Sequence, residues 1–320
     1  SLHDALPICE EQEYMPAIIY TTHAGPELGN AFADVISGKY SPAGRLAQTW
    51  YKSEYELAPI ECYNIIENDK TYLYYRGKPL YPFGYGLSYA RFEYSDFDVK
   101  ENGDVISVSL DVTNVSETDS DEVVQIYFRM ENPSVKRPLR QLVAFAREHI
   151  KGGSKRHFEF DIKKSELRFY DVSRERFAVE QGRYTFMAGA SSEDIRLTKT
   201  IDVSGEIIPP RELCKGIKAK NYDGKYGAKM KYSKKLEQHY MLGGGLIYNN
   251  CVLGEADSIE IVCGSRVNTG KITVRYGGDT LCEAEVKPMV DVTKFETVTA
   301  QFDKAVLAGI YREKPAVFEL

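Results

Sequence analysis

Tyr72, Tyr74, Tyr75 and Arg76 are the side chains in this chain with the clearest means of holding a ligand. They open the stretch Thr71 to Tyr89, TYLYYRGKPLYPFGYGLSY, where Tyr81, Phe83, Tyr85 and Tyr89 follow among prolines and glycines. An aromatic ring buries a large area, and a tyrosine hydroxyl needs a partner once it is buried. A guanidinium adds a rigid fork of donors. Such a loop either packs between domains or presents rings and donors to a ligand, and composition alone does not choose. Its prolines and glycines exclude a helix.

The carboxylates offer less. Glu27, in AGPELGN, precedes a helical stretch, where an acid satisfies free backbone N–H groups and the helix dipole, so capping is expected and not catalysis. Asp34 falls on the polar side of that helix as a solvated carboxylate. Arg45, in a Gly-Arg-Leu loop, is expected to hold backbone carbonyls or a carboxylate. No residue is assigned a catalytic role. The five histidines show no metal-ligand spacing, and Cys9, Cys62, Cys214, Cys251, Cys263 and Cys282 form no close pair, so neither a metal nor a cofactor is expected. The cysteines read as buried and reduced, although Cys251, Cys263 and Cys282 lie in strand-like text and could approach one another. Asn114-Val115-Ser116 fits the glycosylation acceptor pattern, with a turn residue as the plainer reading.

At 320 residues and a net charge of -6, the chain has room for two or three domains of ordinary globular composition. Acidic and basic residues are interspersed, so nucleic acid is not expected as a partner. No apolar run is long enough to span a bilayer and no leader pattern opens the chain, so a membrane is not expected and either a cytoplasmic or a secreted setting fits.

The elements that must position these residues follow from periodicity. Residues 1–8, SLHDALPI, match no template and look like a translated sequencing adapter, with natural sequence expected from Cys9. Pro16 to Tyr20, PAIIY, reads as a strand buried in a parallel sheet, and Asn30 to Ser37, NAFADVIS, as a helix stopped by Gly38. Residues 9–90 are thus the closing part of an alternating α/β domain whose other units would lie upstream. Over 91–205, Phe92–Val99, Val105–Asn114, Glu122–Met130, Arg156–Ile162 and Arg183–Ala188 alternate apolar and polar residues, which describes a β-sandwich of immunoglobulin or fibronectin type. IIPPRE, from Ile207, reads as a linker. GLIYNNCVL, SIEIVCG, KITVRYGG, LCEAEV and ETVTAQF then make a second β domain over 206–320, and AGIYREKPAVFEL reads as a strand cut short.

AIIYTTHAGPELGNAFADVISGKYSPAGRLAQTWYKS, followed by LYPFGYGLSYARFEYSDF, resembles the closing part of the second domain of glycoside hydrolase family 3. Pro42, Gly44, Arg45 and Leu46 match its Pro-x-Gly-Arg-Leu loop. Pro82, Phe83, Gly84, Gly86, Leu87, Ser88 and Tyr89 match its Pro-Phe-Gly-x-Gly-Leu-Ser-Tyr signature. VSLDVTNVSETDSDEVVQIYF, RPLRQLVAFAREHIKGGSKRHFEFDI and EQGRYTFMAGASSEDIRL resemble the fibronectin-type domain appended in that family. TYLYY looks more like its β-xylosidase branch than its β-glucosidase branch. In IKAKNYDGKYG, GGGLIYNNCVLGEADSIEIVCGS and TGKITVRYGGDTLCEAEV the last domain resembles a family 6 carbohydrate-binding module. It departs at Lys218 and Lys220, where that family is acidic and often serves a calcium ion, and at Leu246, where a Trp is common. Tyr248 and Asn249 are its candidate sugar contacts.

The resemblance implies a multidomain chain: the end of an α/β sandwich domain, a fibronectin-like β-sandwich, and a β-sandwich module of jelly-roll type. It implies the C-terminal portion of a retaining β-glycosidase that cleaves β-xylosides or β-glucosides of plant-wall oligosaccharides with two carboxyl groups. The nucleophilic Asp and the acid/base Glu would both precede this chain. The implied partners are an oligosaccharide or polysaccharide and the missing N-terminal catalytic domain, and the chain alone is expected not to hydrolyse aryl glycosides. Tyr72, Tyr74, Tyr75 and Arg76 would then meet the sugar, while the Pro-Phe-Gly half of the stretch acts as a structural hinge. A non-catalytic carbohydrate-binding or scaffolding protein of two β modules is the alternative, and the incomplete α/β unit argues against it.

Overall fold

A computed structural model of the chain describes residues 12–22, 25–59, 63–233, 238–265, 268–289 and 295–320. The adapter-like residues 1–8, Cys9 and Cys62 lie outside the described residues. Cα proximity divides the chain into two compact units, the second formed by Ile207–Leu320 with the short segments Ser134–Lys136 and Tyr170–Phe177.

The first unit begins with helix α1 (Leu28–Ile36), which closes at Ser37 ahead of Gly38. Glu27 occupies its N-cap position but makes no side-chain cap bond. Instead Glu27 Oε2 accepts from Asn30 Nδ2 at 2.6 Å. The short acceptors Ser, Thr, Asp and Asn suit the cap better, since a longer arm carries the carboxylate past the first amides. Asp34 pairs with Lys39 at 2.9 Å on the exposed side. Pro16 to Tyr20 is no strand: Ile18, Ile19 and Tyr20 are exposed. A parallel strand needs neighbours to take its amides, and none pairs with this segment among the described residues. One helical turn, α2 (Thr71–Tyr74), interrupts the aromatic stretch that the sequence reads as helix-free.

The sandwich contains β1 (Phe92–Asn102), β2 (Val105–Asn114), β3 (Ser120–Met130), β4 (Gln141–Ile150), β5 (Lys155–Lys163), β8 (Gly182–Gly189) and β9 (Ile195–Val203), while β6 (Phe169–Asp171) and β7 (Arg176–Ala178) form a separate pair. One sheet has the order β1-β2-β5 and the other β4-β3-β8-β9, with antiparallel neighbours. Their facing residues form one core of Ile106, Val108, Leu110 and Val112 with Val124, Ile126, Phe128, Tyr184 and Phe186. Alternation in β2 is strict, whereas every residue of β3 from Glu122 to Phe128 is buried. Asn114 is buried too, and its Nδ2 donates to Thr118 O at 2.9 Å and Ile150 O at 3.0 Å. It holds the β2–β3 turn and is closed to glycosylation in the folded chain.

In the second unit, β10 (Arg211–Glu212), β14 (Gly245–Val252), β19 (Ala316–Glu319), β16 (Gly270–Tyr276) and β17 (Asp279–Val286) form a sheet in that order, and β11 (Gly224–Tyr226) pairs with β14. Two further pairs are β12 (Lys229–Ser233) with β13 (Gln238–Leu242) and β15 (Ser258–Cys263) with β18 (Glu296–Gln301). Helix α3 (Lys304–Gly309) takes the start of the segment read as one truncated strand, since Asp303 caps it by accepting from Ala305 N and Val306 N. Leu246, Tyr248, Cys251, Val274, Tyr276, Leu281 and Phe318 are the core. Cys251, Cys263 and Cys282 are free thiols, and Cys214, expected to be buried, is exposed. No helix among the described residues is long and apolar enough to cross a membrane.

Candidate functional site

The loop around Arg45, the Pro-Phe-Gly signature and strand β3 meet in the first unit, with Gln125 on the outer face of β3 and Glu122 on its core face. Backbone bonds fix the first two to each other: Leu46 N donates to Tyr85 O at 2.8 Å and Gly84 N to Leu46 O at 2.7 Å. The signature glycines follow from this approach. A Cβ on Gly86 would stand 2.0 Å from Gly44 O, and Gly84 lies at φ +79 with no room for a Cβ beside Gln125 Oε1. The Ser41, Ser88 and Ser120 hydroxyls close the other edge, with Ser120 to Ser41 at 2.8 Å and Ser88 to Ser120 at 2.9 Å.

Two polar side chains of β3 lock the loop onto the sheet. Arg45 donates to Glu122 Oε2 at 2.9 Å, as expected for its fork, and Tyr94 Oη donates to Glu122 Oε1 at 2.7 Å. Burial, and then the Glu122 charge, push the Tyr94 hydroxyl pKa well up, while the Arg196 guanidinium 4.6 Å above its ring opposes the shift. Gln125 Nε2 donates to Gly84 O at 3.0 Å and to Ala190 O at 2.6 Å, and its Oε1 accepts from Tyr127 Oη at 2.5 Å. Sequence reading missed Glu122 and Gln125. The signal for Glu122 is an acid in register with Val124, Ile126 and Phe128, a position where a carboxylate persists only if it is paired.

The four aromatic-stretch candidates divide. Tyr72 stacks on Phe83 with centroids 4.1 Å apart, stands edge-on to Tyr127 at 6.1 Å, and accepts from Leu142 N at 3.3 Å. Tyr74 is buried, and burial pushes its hydroxyl pKa up against the pull of the Arg137 charge. Both are packing residues. Tyr75 is half-buried, edge-on to Tyr51 at 4.9 Å, and donates to Glu56 Oε2 at 2.7 Å. Burial and then the Glu56 carboxylate raise its pKa. Arg76 is exposed. Tyr51 supports this corner by accepting from Thr71 N at 2.7 Å. Among the described residues, Tyr75, Arg76 and Glu56 present polar groups to solvent here, a rim suited to gripping hydroxyls.

Next to this corner, Trp50 stands edge-on between Tyr20 at 5.0 Å and Tyr81 at 5.9 Å. Trp50 Nε1 and Thr49 Oγ1 are buried without a hydrogen-bond partner among the described residues. Orphaned donors of this kind are rare in a finished interior.

The candidates of the second unit fare differently from each other. Tyr248 is 1% exposed, its hydroxyl donates to Ala219 O at 3.1 Å, and burial pushes its pKa up to about 12 against the Arg211 charge. It belongs to the core, in phase with Leu246, and cannot meet a surface ligand. Asn249 is exposed, and its backbone N–H donates to Asp223 Oδ2 at 2.6 Å.

Residues 2–89 match the family model of the glycosyl hydrolase family 3 C-terminal domain, and residues 122–192 that of the fibronectin type III-like domain. Among curated relatives, the chain is 34% identical over 198 residues to a xylan 1,4-beta-xylosidase of Xylanibacter ruminicola, covering 61% of this chain and 22% of the relative. It is 33% identical over 199 residues to thermostable beta-glucosidase B of Acetivibrio thermocellus, covering 57% and 26%. Among solved structures, beta-D-glucoside glucohydrolase from Trichoderma reesei superposes with a TM-score of 0.53 at 28% identity, over 56% of this chain and 29% of that one. Beta-glucosidase from Kluyveromyces marxianus in complex with glucose gives 0.52 at 33% identity, over 55% and 23%. The chain thus spans between 22% and 26% of the length of the two curated relatives.

Proposed function

We propose that this chain is the C-terminal portion of a β-glycosidase that cleaves β-xylosides or β-glucosides of plant-wall oligosaccharides. The observation that carries the reading is the seam itself: the Arg45 loop and the signature lie in the segment similar to the glycosyl hydrolase family 3 C-terminal domain, and both clasp Glu122 and Gln125 in the segment similar to its fibronectin-like companion. Retention needs two carboxyl groups about 5 Å apart, one of them free to attack. At the seam Glu122 is locked in its ion pair and Glu56 is held by Tyr75. In this reading the nucleophile and the acid belong to a part of the enzyme that precedes this chain, in keeping with a chain that spans 22% and 26% of the two curated relatives.

The orphaned Trp50 and Thr49 donors, with exposed Ile18, Ile19 and Tyr20, support a surface on which that part seats. Tyr75 and Arg76 reach substrate from its rim, with Tyr72 and Tyr74 positioning them. The second unit is a carbohydrate-binding module of jelly-roll type, in which Asn249 is available to a sugar and Tyr248 supports it from the core.

A chimera tests this reading: the matching stretch of the Xylanibacter ruminicola xylosidase is replaced by the corresponding residues of this chain. The chimera is expected to hydrolyse 4-nitrophenyl β-xyloside or β-glucoside, and the present chain alone to hydrolyse neither. A folded but inactive chimera sinks the reading. So does turnover by the chain alone.

A further inference from the structure

Residues 211–254 carry nine Lys and Arg against three Asp and Glu, in a chain whose totals are 41 and 47. The even mixing of charge seen over the whole sequence fails here. Two of the three acids are already engaged: Asp223 pairs with Arg211 at 2.7 Å and Glu212 with Lys215 at 2.8 Å. Lys218 pairs with Glu175 at 2.7 Å, and Lys220 lies close enough to feel that same carboxylate. Lys229 and Lys231 are exposed and make no ion pair among the described residues.

The fold gathers these charges. Lys229 and Lys231 are alternate residues of β12, so both side chains leave one face of that strand. β12 pairs with β13, with Lys231 opposite Tyr240 and Lys229 opposite Leu242. The single 3-10 turn Ala219–Asn221, which carries Lys220, packs against β13. Neither β13, QHYML, nor β14, GLIYNNCV, contains an acidic residue. Tyr226, three residues before Lys229, is exposed, and its ring lies close enough to Gly245 that a Cβ there would stand 2.0 Å from Tyr226 Cζ. The ring is thereby held against β14 while the residue stays exposed.

We infer that this face of the second unit, built by Lys220, Lys229, Lys231 and Tyr226, binds a polysaccharide that carries carboxylates, such as one containing uronic acids. Ammonium groups in a row meet carboxylates spaced along the chain, and the pinned ring takes the apolar face of an intervening sugar. The preference for a glycan over a nucleic acid rests on the glycosidase reading above. The interaction is electrostatic and multivalent, so it weakens steeply with salt.

The test is affinity electrophoresis of the full chain in gels containing polygalacturonate, neutral arabinoxylan or neither, with a DNA duplex as competitor. Retardation is expected in polygalacturonate and not in arabinoxylan, and to be lost at high salt. The triple variant K220Q/K229Q/K231Q should bind polygalacturonate about tenfold more weakly or worse, a difference of roughly 1.4 kcal/mol. K229R/K231R, which keeps the charge, should bind as the native chain does. No retardation by polygalacturonate overturns the proposal, as does equal retardation of the triple variant. Displacement by DNA at matched charge overturns it in favour of a nucleic-acid surface. An inactive chimera with retardation intact would sink the glycosidase reading and leave this face standing as a polyanion site.

Discussion

Strands β2 and β3 lie in one sandwich and carry opposite burial patterns. In β2, Ile106, Val108, Leu110 and Val112 enter the core while the alternate residues stay wet, and Asp111 on that wet side pairs with Lys155 and with His157, each at 2.5 Å. In β3 the core face is the same in kind, yet Gln125 and Tyr127 on the opposite face are buried as well. Their cover comes from far upstream, since Gly84 is 41 residues before Gln125, while on the core face, in register with Val124, Glu122 is met by Arg45 from 77 residues before it. The outer face of β3 is therefore a second interior, sealed by polar groups placed one to one. The wet face of β2 exchanges its polar partners with water.

The comparison breaks if polar groups on the two strands prove equally dispensable. E122M strands the Arg45 guanidinium, whose side chain is 10% exposed, and should cost about 3–5 kcal/mol by urea denaturation of the full chain. R45M/E122M should recover at least half of that loss, since no charge is then left buried. A cost no larger than that of S109A on the wet face of β2, where about 0.5 kcal/mol or less is expected, would refute a seam sealed by polar pairs on β3. Next in size, Q125L leaves Gly84 O and Ala190 O without their donor and should cost about 1–3 kcal/mol.

The smallest effect sharpens the contrast through pH. The bond to Asp111, ahead of smaller opposing burial, raises the His157 pKa above its ordinary 6.5, so its increment to stability is full below that value and fades as pH rises through the raised one. Asp111 is lowered by Lys155 first and His157 second, so its increment holds above 3.8 and fades as pH falls through the lowered value. NMR titration of His157 should show the upward shift, with H157Q removing the fade above neutrality. An unshifted His157 would refute the pairing.

Much of the sandwich was legible in the chain because a half-buried strand writes its period in its residues. β2 reads at its true bounds, Val105 to Asn114. β4 and β9 show that period less plainly: QLVAFAREHI opens as an apolar run, and IRLTKTIDV puts a lysine where an apolar residue would mark the face. PAIIY looks like an interior strand, yet a strand exists only with partners, which a local pattern cannot supply. Tyr248 has the chemical type of a ligand contact, but its register with Leu246 in β14 assigns it to the core. The seam was half legible. The glycines and Arg45 announce a close approach, but what they approach is Glu122 and Gln125, and only the folded sheet shows that.

Trp50 gives the molecule an optical consequence. It is the one tryptophan of the chain, 4% exposed and wedged between two tyrosine rings at the edge of the seam. Indole emission shifts to longer wavelength when the ring meets water, so selective excitation of this chain reports on that corner alone and is blind to the second unit. The same probe, with its free N–H, would register the arrival of any carbonyl that seats against it.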